Sequence, residues 1–158
     1  MIFLTVGTQL PFDRLVKTVD KAVETGLVAE EIYAQIGAGS YRPHNFRAAP
    51  SIEKHLFDKY IRQASSIISH AGMGTIMMAM ENNKPLLVMP RRKKYGEVVN
   101  DHQLAIAKKF EQSGHILVAY RQEDMPAKIK ELKSFIPRPR TNQTEAVVEK
   151  IACFLKTI

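Results

Sequence analysis

Ser66-Ile67-Ile68-Ser69-His70-Ala71-Gly72-Met73-Gly74-Thr75, continuing through Ile76-Met77-Met78-Ala79-Met80, is the stretch that decides the fold. Its paired β-branched apolar residues read as the end of a buried strand, and the Met- and Ala-rich run after Gly74 reads as a helix. Between them stand glycines and small polar side chains without a proline. That composition makes a strand-to-helix turn whose backbone a second body can approach closely. A helix start leaves N–H donors unpaired and carries partial positive charge, so the turn suits a phosphate. On that reading Ser69, His70 and Thr75 add side-chain hydrogen bonds to the same anion. On the plainer reading the glycines supply positive φ and Thr75 caps the helix. Gly-x-Gly by itself fits both.

Working outward, residues 2–6 read as a buried strand, left through the turn Gly7-Thr8-Gln9-Leu10-Pro11. Phe12, Leu15, Val16, Val19, Ala22 and Val23 then recur at helical spacing, with Gly26 closing that helix. A second strand is expected over 31–36, ended by Gly37-Ala38-Gly39-Ser40, and an irregular stretch with a short strand near 46–48 follows. A helix opens at Ser51 and runs to about Ala64. Past the central turn, Asn82-Asn83 stops a helix before Lys84-Pro85. Strand 86–89, a loop over 91–99, helix 101–112, strand 116–119 and helix 125–132 come next. A Pro- and Arg-rich linker (135–142) leads to a last helix, 142–157.

This alternation predicts an α/β fold: a Rossmann-like parallel sheet with helices on both faces, in a single domain spanning 1–158. Ligands of such sheets sit beyond the carboxyl ends of the strands. The turns after Val6, Ile36 and Ser69 and the loop after Pro90 all fall at that edge. Packing alone gives no reason for small-residue turns to converge there, which favours the anion-binding reading.

Composition sets the outer bounds. The 158 residues are 45% hydrophobic and 25% charged, ordinary for a globular chain with a real core. No apolar run approaches the ~20 residues of a membrane-spanning helix, and the first residues lack the charge pattern of a signal peptide. Cys153, the single cysteine, lies in an apolar helical pattern and reads as a small core residue. A cytoplasmic location is the expectation. The net charge of +7 favours anionic partners, and Arg91-Arg92-Lys93-Lys94, in a loop after a strand, reads as a ligand or partner contact. Nucleic acid is not expected, because the basic residues are scattered and not interleaved with aromatics. Gly7-Thr8-Gln9-Leu10-Pro11-Phe12 lacks the Gly-x-Gly-x-x-Gly of dinucleotide sites.

Val6-Gly7-Thr8-Gln9-Leu10-Pro11-Phe12-Asp13, His70-Ala71-Gly72-Met73-Gly74-Thr75, Lys84-Pro85 and Asn100-Asp101-His102-Gln103 together resemble the C-terminal, donor-binding domain of family 28 glycosyltransferases. The likeness is to the stand-alone type, which includes the catalytic subunit of the two-subunit UDP-GlcNAc transferase and bacterial exopolysaccharide and capsule subunits. It covers nearly the whole chain and is weakest from Pro137 onward. The resemblance implies the C-terminal half of a GT-B enzyme that binds a UDP-sugar between two Rossmann-like domains. It places Gly7, Thr8, Gly72 and Gly74 at the diphosphate, residues 36–40 near the nucleotide, and Gln103, aided by Asp101, at the donor-sugar hydroxyls. Many relatives carry a ribose-binding Glu where this chain has Met78; Glu81, three residues on, is the substitute within helical reach.

By the same resemblance the reaction is an inverting transfer of a hexose or N-acetylhexosamine in polysaccharide biosynthesis. The acceptor site and base belong to a membrane-associated partner subunit that handles a lipid-linked acceptor, so this chain would lie at the cytoplasmic membrane face through that partner. No cofactor is implied, and without an Asp-x-Asp the usual carboxylate clamp for a divalent cation is lacking. His70 is better placed to donate to the diphosphate or brace the turn than to act as base; His102 is expected to point into the core or to a backbone carbonyl. The alternative is a non-catalytic accessory subunit that activates a partner glycosyltransferase.

Overall fold

Alternation of apolar residues along each strand gives the sheet two buried faces. The computed structural model describes residues 1–139, 152 and 153. Its strands are β1 (Ile2–Thr5), β2 (Ile32–Gln35), β3 (Arg47–Ala49), β4 (Ser66–His70), β5 (Leu86–Met89) and β6 (Leu117–Val118). All pair in parallel, in the order β3-β2-β1-β4-β5-β6. The helices are α1 (Asp13–Glu24), α2 (Lys54–Gln63), α3 (Met73–Glu81), α4 (His102–Gln112) and α5 (Met125–Leu132). Ile2, Leu4, Ile68, Leu87 and Met89 point to one face, where α1 and α5 cover them with Leu15, Val16, Val19 and Ile129. Phe3, Ile67, Leu86 and Val88 point to the other and meet Ile61, Ile76, Ala79 and Ala107 of α2, α3 and α4. Both faces are covered, as the continuous apolar strand runs require.

The expected element order therefore holds, with boundaries moved by a residue or a few. β1 stops at Thr5, α2 starts at Lys54 with Glu53 as its N-cap, and Asp101 is the N-cap of α4 instead of its first residue. The loop after β5 contains a 3₁₀ turn at Lys93–Tyr95. The proposed linker has no regular secondary structure over 135–139 and is anchored, since Arg138 N–H donates to the Gly114 carbonyl at 2.9 Å. The helix expected at 142–157 lies outside the described residues except for Ala152 and Cys153. Cys153 is exposed, which corrects its reading as a core residue: its neighbours' apolar spacing does not bury the thiol.

The chain moves from β1 outward to β3, then returns to the opposite side of β1 with β4. The crevice beyond the carboxyl ends of β1 and β4 is thus the topological switch point, where such sheets take their ligands. The long β2–β3 connection is shaped by a buried carboxylate. Asp20, on α1 and 2% exposed, accepts from the Tyr41 hydroxyl (2.6 Å), the amides of His44 and Asn45, and the Asn45 side chain. Burial is the largest single influence on its carboxyl and raises its pKa, but the hydrogen bonds together outweigh it and leave the group below the ordinary value. Removing the carboxylate strands several donors in a place water cannot easily reach. Asp20→Ala is expected to destabilise the fold by about 2–4 kcal/mol in urea unfolding, and a loss below about 1 kcal/mol would contradict this role.

Candidate functional site

Three backbone segments meet at the switch point: the Gly7 turn after β1, the Gly72–Gly74 turn after β4, and the loop after β5. The first is held from below by a relay. Gly7 N–H donates to Thr5 Oγ1 (3.1 Å), whose hydroxyl donates to Gln35 Oε1 on β2 (3.0 Å). Gly7 has φ +78°, and a Cβ there would lie 2.8 Å from His70 Cε1. A Cβ on Gly72 would come within 2.2 Å of His70 Nε2. The imidazole therefore fills the space between both turns, and only glycine lets either backbone close on it.

The polarity of that ring follows from its neighbour. Ser69 Oγ donates to the Thr5 carbonyl at 2.7 Å, so its remaining lone pairs accept from His70 Nδ1–H at 3.1 Å, and Nε2 of the neutral ring is a bare acceptor. Burial, then the positive charge of Arg91, push the imidazole pKa down to about 4. The ring is neutral at pH 7 and braces the turns. Ser69 itself is completely buried and spends its hydroxyl within the sheet, so it orients His70 and does not face the open corner.

Gly72 is the N-cap of α3, no side chain caps that helix, and its first turn holds no acid. The amides of Met73, Gly74 and Thr75 open the helix, and a Cβ on Gly74 would meet nothing within 4 Å. The plainer reading of Thr75 as the cap is corrected: Thr75 sits inside the helix with its side chain buried. Thr8 is exposed on the facing turn. Gln103, in the first turn of α4, accepts from Arg91 N–H through Oε1 at 3.1 Å, and among the described residues its Nε2 group has no acceptor. It lines a groove of about 420 Å³ with Leu10, Glu97, Val99 and His102. Asp101 is exposed, and its Oδ1 accepts from Lys93 N–H at 2.8 Å. His102 is exposed on the groove rim, which corrects its expected inward orientation.

Gly7, Thr8, His70, Gly72, Gly74 and Thr75 thus come together, with Asp101 and Gln103 at the adjoining start of α4. Glu81 does not join them. It is the exposed last residue of α3, about 12 Å along the axis from the helix start, because α3 runs away from this edge. Arg91 is a second departure from expectation. The sequence offers it, with Arg92, Lys93 and Lys94, as a loop contact for a ligand or partner, yet it is 3% exposed and bonded to the Val6 and Leu10 carbonyls. Sequence reasoning also missed Thr5 and Gln35, whose only signal is polarity at inward strand positions. A larger cavity of about 710 Å³, between α1 and residues 122–126, contains none of these groups.

A parallel sheet with glycine turns and an uncapped helix at its switch point defines the class: a Rossmann-like α/β domain with a ligand crevice at that edge. The sequence matches the glycosyltransferase family 28 C-terminal domain over residues 1–158, and the chain belongs to that family. It is similar to the human UDP-N-acetylglucosamine transferase subunit ALG13, at 33% identity over 129 residues, covering 73% of this chain and 10% of that protein. The chain therefore spans about a tenth of the length of its mammalian relatives. In fold it is similar to MurG of Acinetobacter baumannii (TM-score 0.63, 23% identity, 95% of this chain and 49% of that one). It is also similar to the NMR solution structure of ALG13 (TM-score 0.58, 19% identity, 87% of each chain).

His70 makes the site's integrity pH-dependent. Its folded pKa lies below the ordinary 6.5, so the stability it contributes is full above about pH 6.5 and is lost as the pH falls toward 4. Urea unfolding between those limits is expected to show a decline of up to about 3 kcal/mol from this ring, absent in His70→Asn. An unchanged slope in that variant would assign the acid sensitivity elsewhere.

Proposed function

We propose that this chain is the donor-binding, catalytic subunit of a two-component inverting glycosyltransferase, and that it binds a UDP-sugar at the switch point. The observation that carries this reading is the uncapped α3 N-terminus facing a glycine turn across a half-buried neutral imidazole. Such amides offer the diphosphate preorganised donors where leaving-group charge builds, without a metal. Gly7, Thr8, Gly72, Gly74 and the Thr75 amide form the diphosphate seat. Gln103, with its carbonyl oxygen committed, donates through Nε2 to a donor-sugar hydroxyl, and Asp101 accepts from another. The printed name of the human relative supports UDP-N-acetylglucosamine as the first donor to test, and the word subunit in that name supports a partner chain.

The surface supports the partner too. Of the large hydrophobics exposed among the described residues, Leu10, Met73, Tyr95 and Val99 all lie on loops or helix starts beyond the carboxyl ends of the strands, and only Ile136 does not. An apolar rim around a polar seat fits a second domain closing over it. On this reading the partner is membrane-associated, supplies the base and presents a lipid-linked acceptor in polysaccharide biosynthesis.

NMR titration of the chain with UDP is expected to move the amides of Gly7 and Met73–Thr75. Gly74→Asp separates site from scaffold: its side chain enters open space, and a carboxylate in the first helical turn preserves or raises stability by up to about 1 kcal/mol. The same carboxylate repels a diphosphate, so this variant should keep its melting temperature and lose the UDP response. A Gly74→Asp chain that still binds UDP like the parent would refute the seat. The purified chain alone is expected to transfer sugar barely or not at all, and brisk turnover without a partner would contradict the division of labour.

A further inference from the structure

Arg91 is the group at this edge that the donor-site reading leaves without a role. Its Nη2 donates to the Val6 carbonyl at 2.7 Å and to the Leu10 carbonyl, which flank the Gly7 turn. One planar group thus ties the two ends of the turn together. The guanidinium lies 5.0 Å from the Phe12 ring centroid, and the residue's own N–H fixes Gln103. Arg91 is therefore joined to both halves of the candidate site while being 3% exposed itself.

Among the described residues, no carboxylate lies within hydrogen-bond distance of its charge. Glu97, the acid whose field reaches it, is gripped by Arg14 at 2.7 and 2.8 Å and also accepts from the Arg92 amide. Arg91 Nε is buried and bonded to nothing among the described residues. Buried arginines are as a rule paired, since an uncompensated charge in a low dielectric is costly. Burial lowers the guanidinium pKa to about 10, so the group remains charged at neutral pH. The floor of the turn consequently carries positive charge that no carboxylate among the described residues contacts.

We propose that Arg91 is a positioning residue for the diphosphate: it holds the Gly7 turn in its anion-accepting shape and adds, from beneath, a charge that the bound diphosphate neutralises. This rests on the donor-site reading above and deepens it. Field from a buried cation acts over several ångströms through a low dielectric, so direct contact is not required. The more negative ligand gains the most, which distinguishes this role from simple maintenance of the fold.

The test compares UDP and UMP binding by calorimetry for the parent chain, Arg91→Gln and Arg91→Lys, with ¹H–¹⁵N spectra to verify folding. Arg91→Gln is expected to weaken UDP at least tenfold and to lower the UDP-to-UMP affinity ratio at least threefold. Arg91→Lys keeps the charge but cannot span both carbonyls; it should weaken UDP three- to tenfold and preserve more of the ratio. A folded variant of either kind that binds UDP within twofold of the parent would overturn the proposal, as would equal losses for UDP and UMP. Should the glutamine variant not fold, the lysine variant decides by the same twofold limit. A parent chain that binds no UDP removes the donor site itself, whereas normal parent binding with unaffected variants removes only the role of Arg91.

Discussion

The imidazole of His70 occupies the volume that two Cβ atoms would otherwise claim, and the spacing between the ends of β1 and β4 is set by that ring. Its Nδ1–H is tied through Ser69 Oγ to the carbonyl of Thr5, so the ring is anchored to the neighbouring strand as well as to its own. Neutrality is part of the arrangement. A protonated ring would stand beside the buried charge of Arg91 in a poorly solvated place, and both influences disfavour it. Two turns from distant parts of the chain are thereby held one imidazole apart, with the uncapped amides of the α3 start beside them.

The charge balance of the same edge follows a consistent rule. Asp13 and Glu97 are committed to the loops and not to the open corner, and exposed Asp101 spends one carboxylate oxygen in the same way. Asp13 accepts from Ser40 Oγ at 2.7 Å and from the amides of Ser40 and Tyr41. Glu97 is engaged by Arg14 and by the Arg92 amide, and Asp101 by the Lys93 amide. With the acids spent in this way, the corner presents backbone donors above a buried guanidinium. That is an environment suited to a multiply charged anion and unsuited to a neutral ligand.

Much of this was legible in the residues themselves. Short continuous apolar runs in Ile2–Thr5 and Leu86–Met89 and helical spacing in α1 are local signals, and the parallel sheet they predict is the one observed. The glycines at 7 and 72 were legible as backbone requirements, though the object pressed against them, His70, was not. What sequence could not show are pairings across long separations. Arg91 reads as the start of a basic run because its burial depends on carbonyls 81 and 85 positions away. Ser69 reads as an anion ligand until the parallel register with Thr5 turns its hydroxyl inward. Glu81 seemed a neighbour by helical turn, but helix direction carries it away from the edge.

The chemistry available to this edge bears on what it lacks. A sugar transfer needs a group to take the acceptor proton, and the base by residue type would be His70. Its free lone pair is on Nε2, yet that atom is pressed against the Gly72 backbone and its basicity is depressed to about 4. An acceptor hydroxyl cannot reach it without displacing the turn that forms the seat. The neighbouring carboxylates are occupied in holding loops, so freeing one would loosen the same geometry. On the proposed reading the base therefore arrives with whatever covers Leu10, Met73, Tyr95 and Val99, the apolar side chains exposed at this edge. The need for a base and the need to bury that rim are then met by one surface.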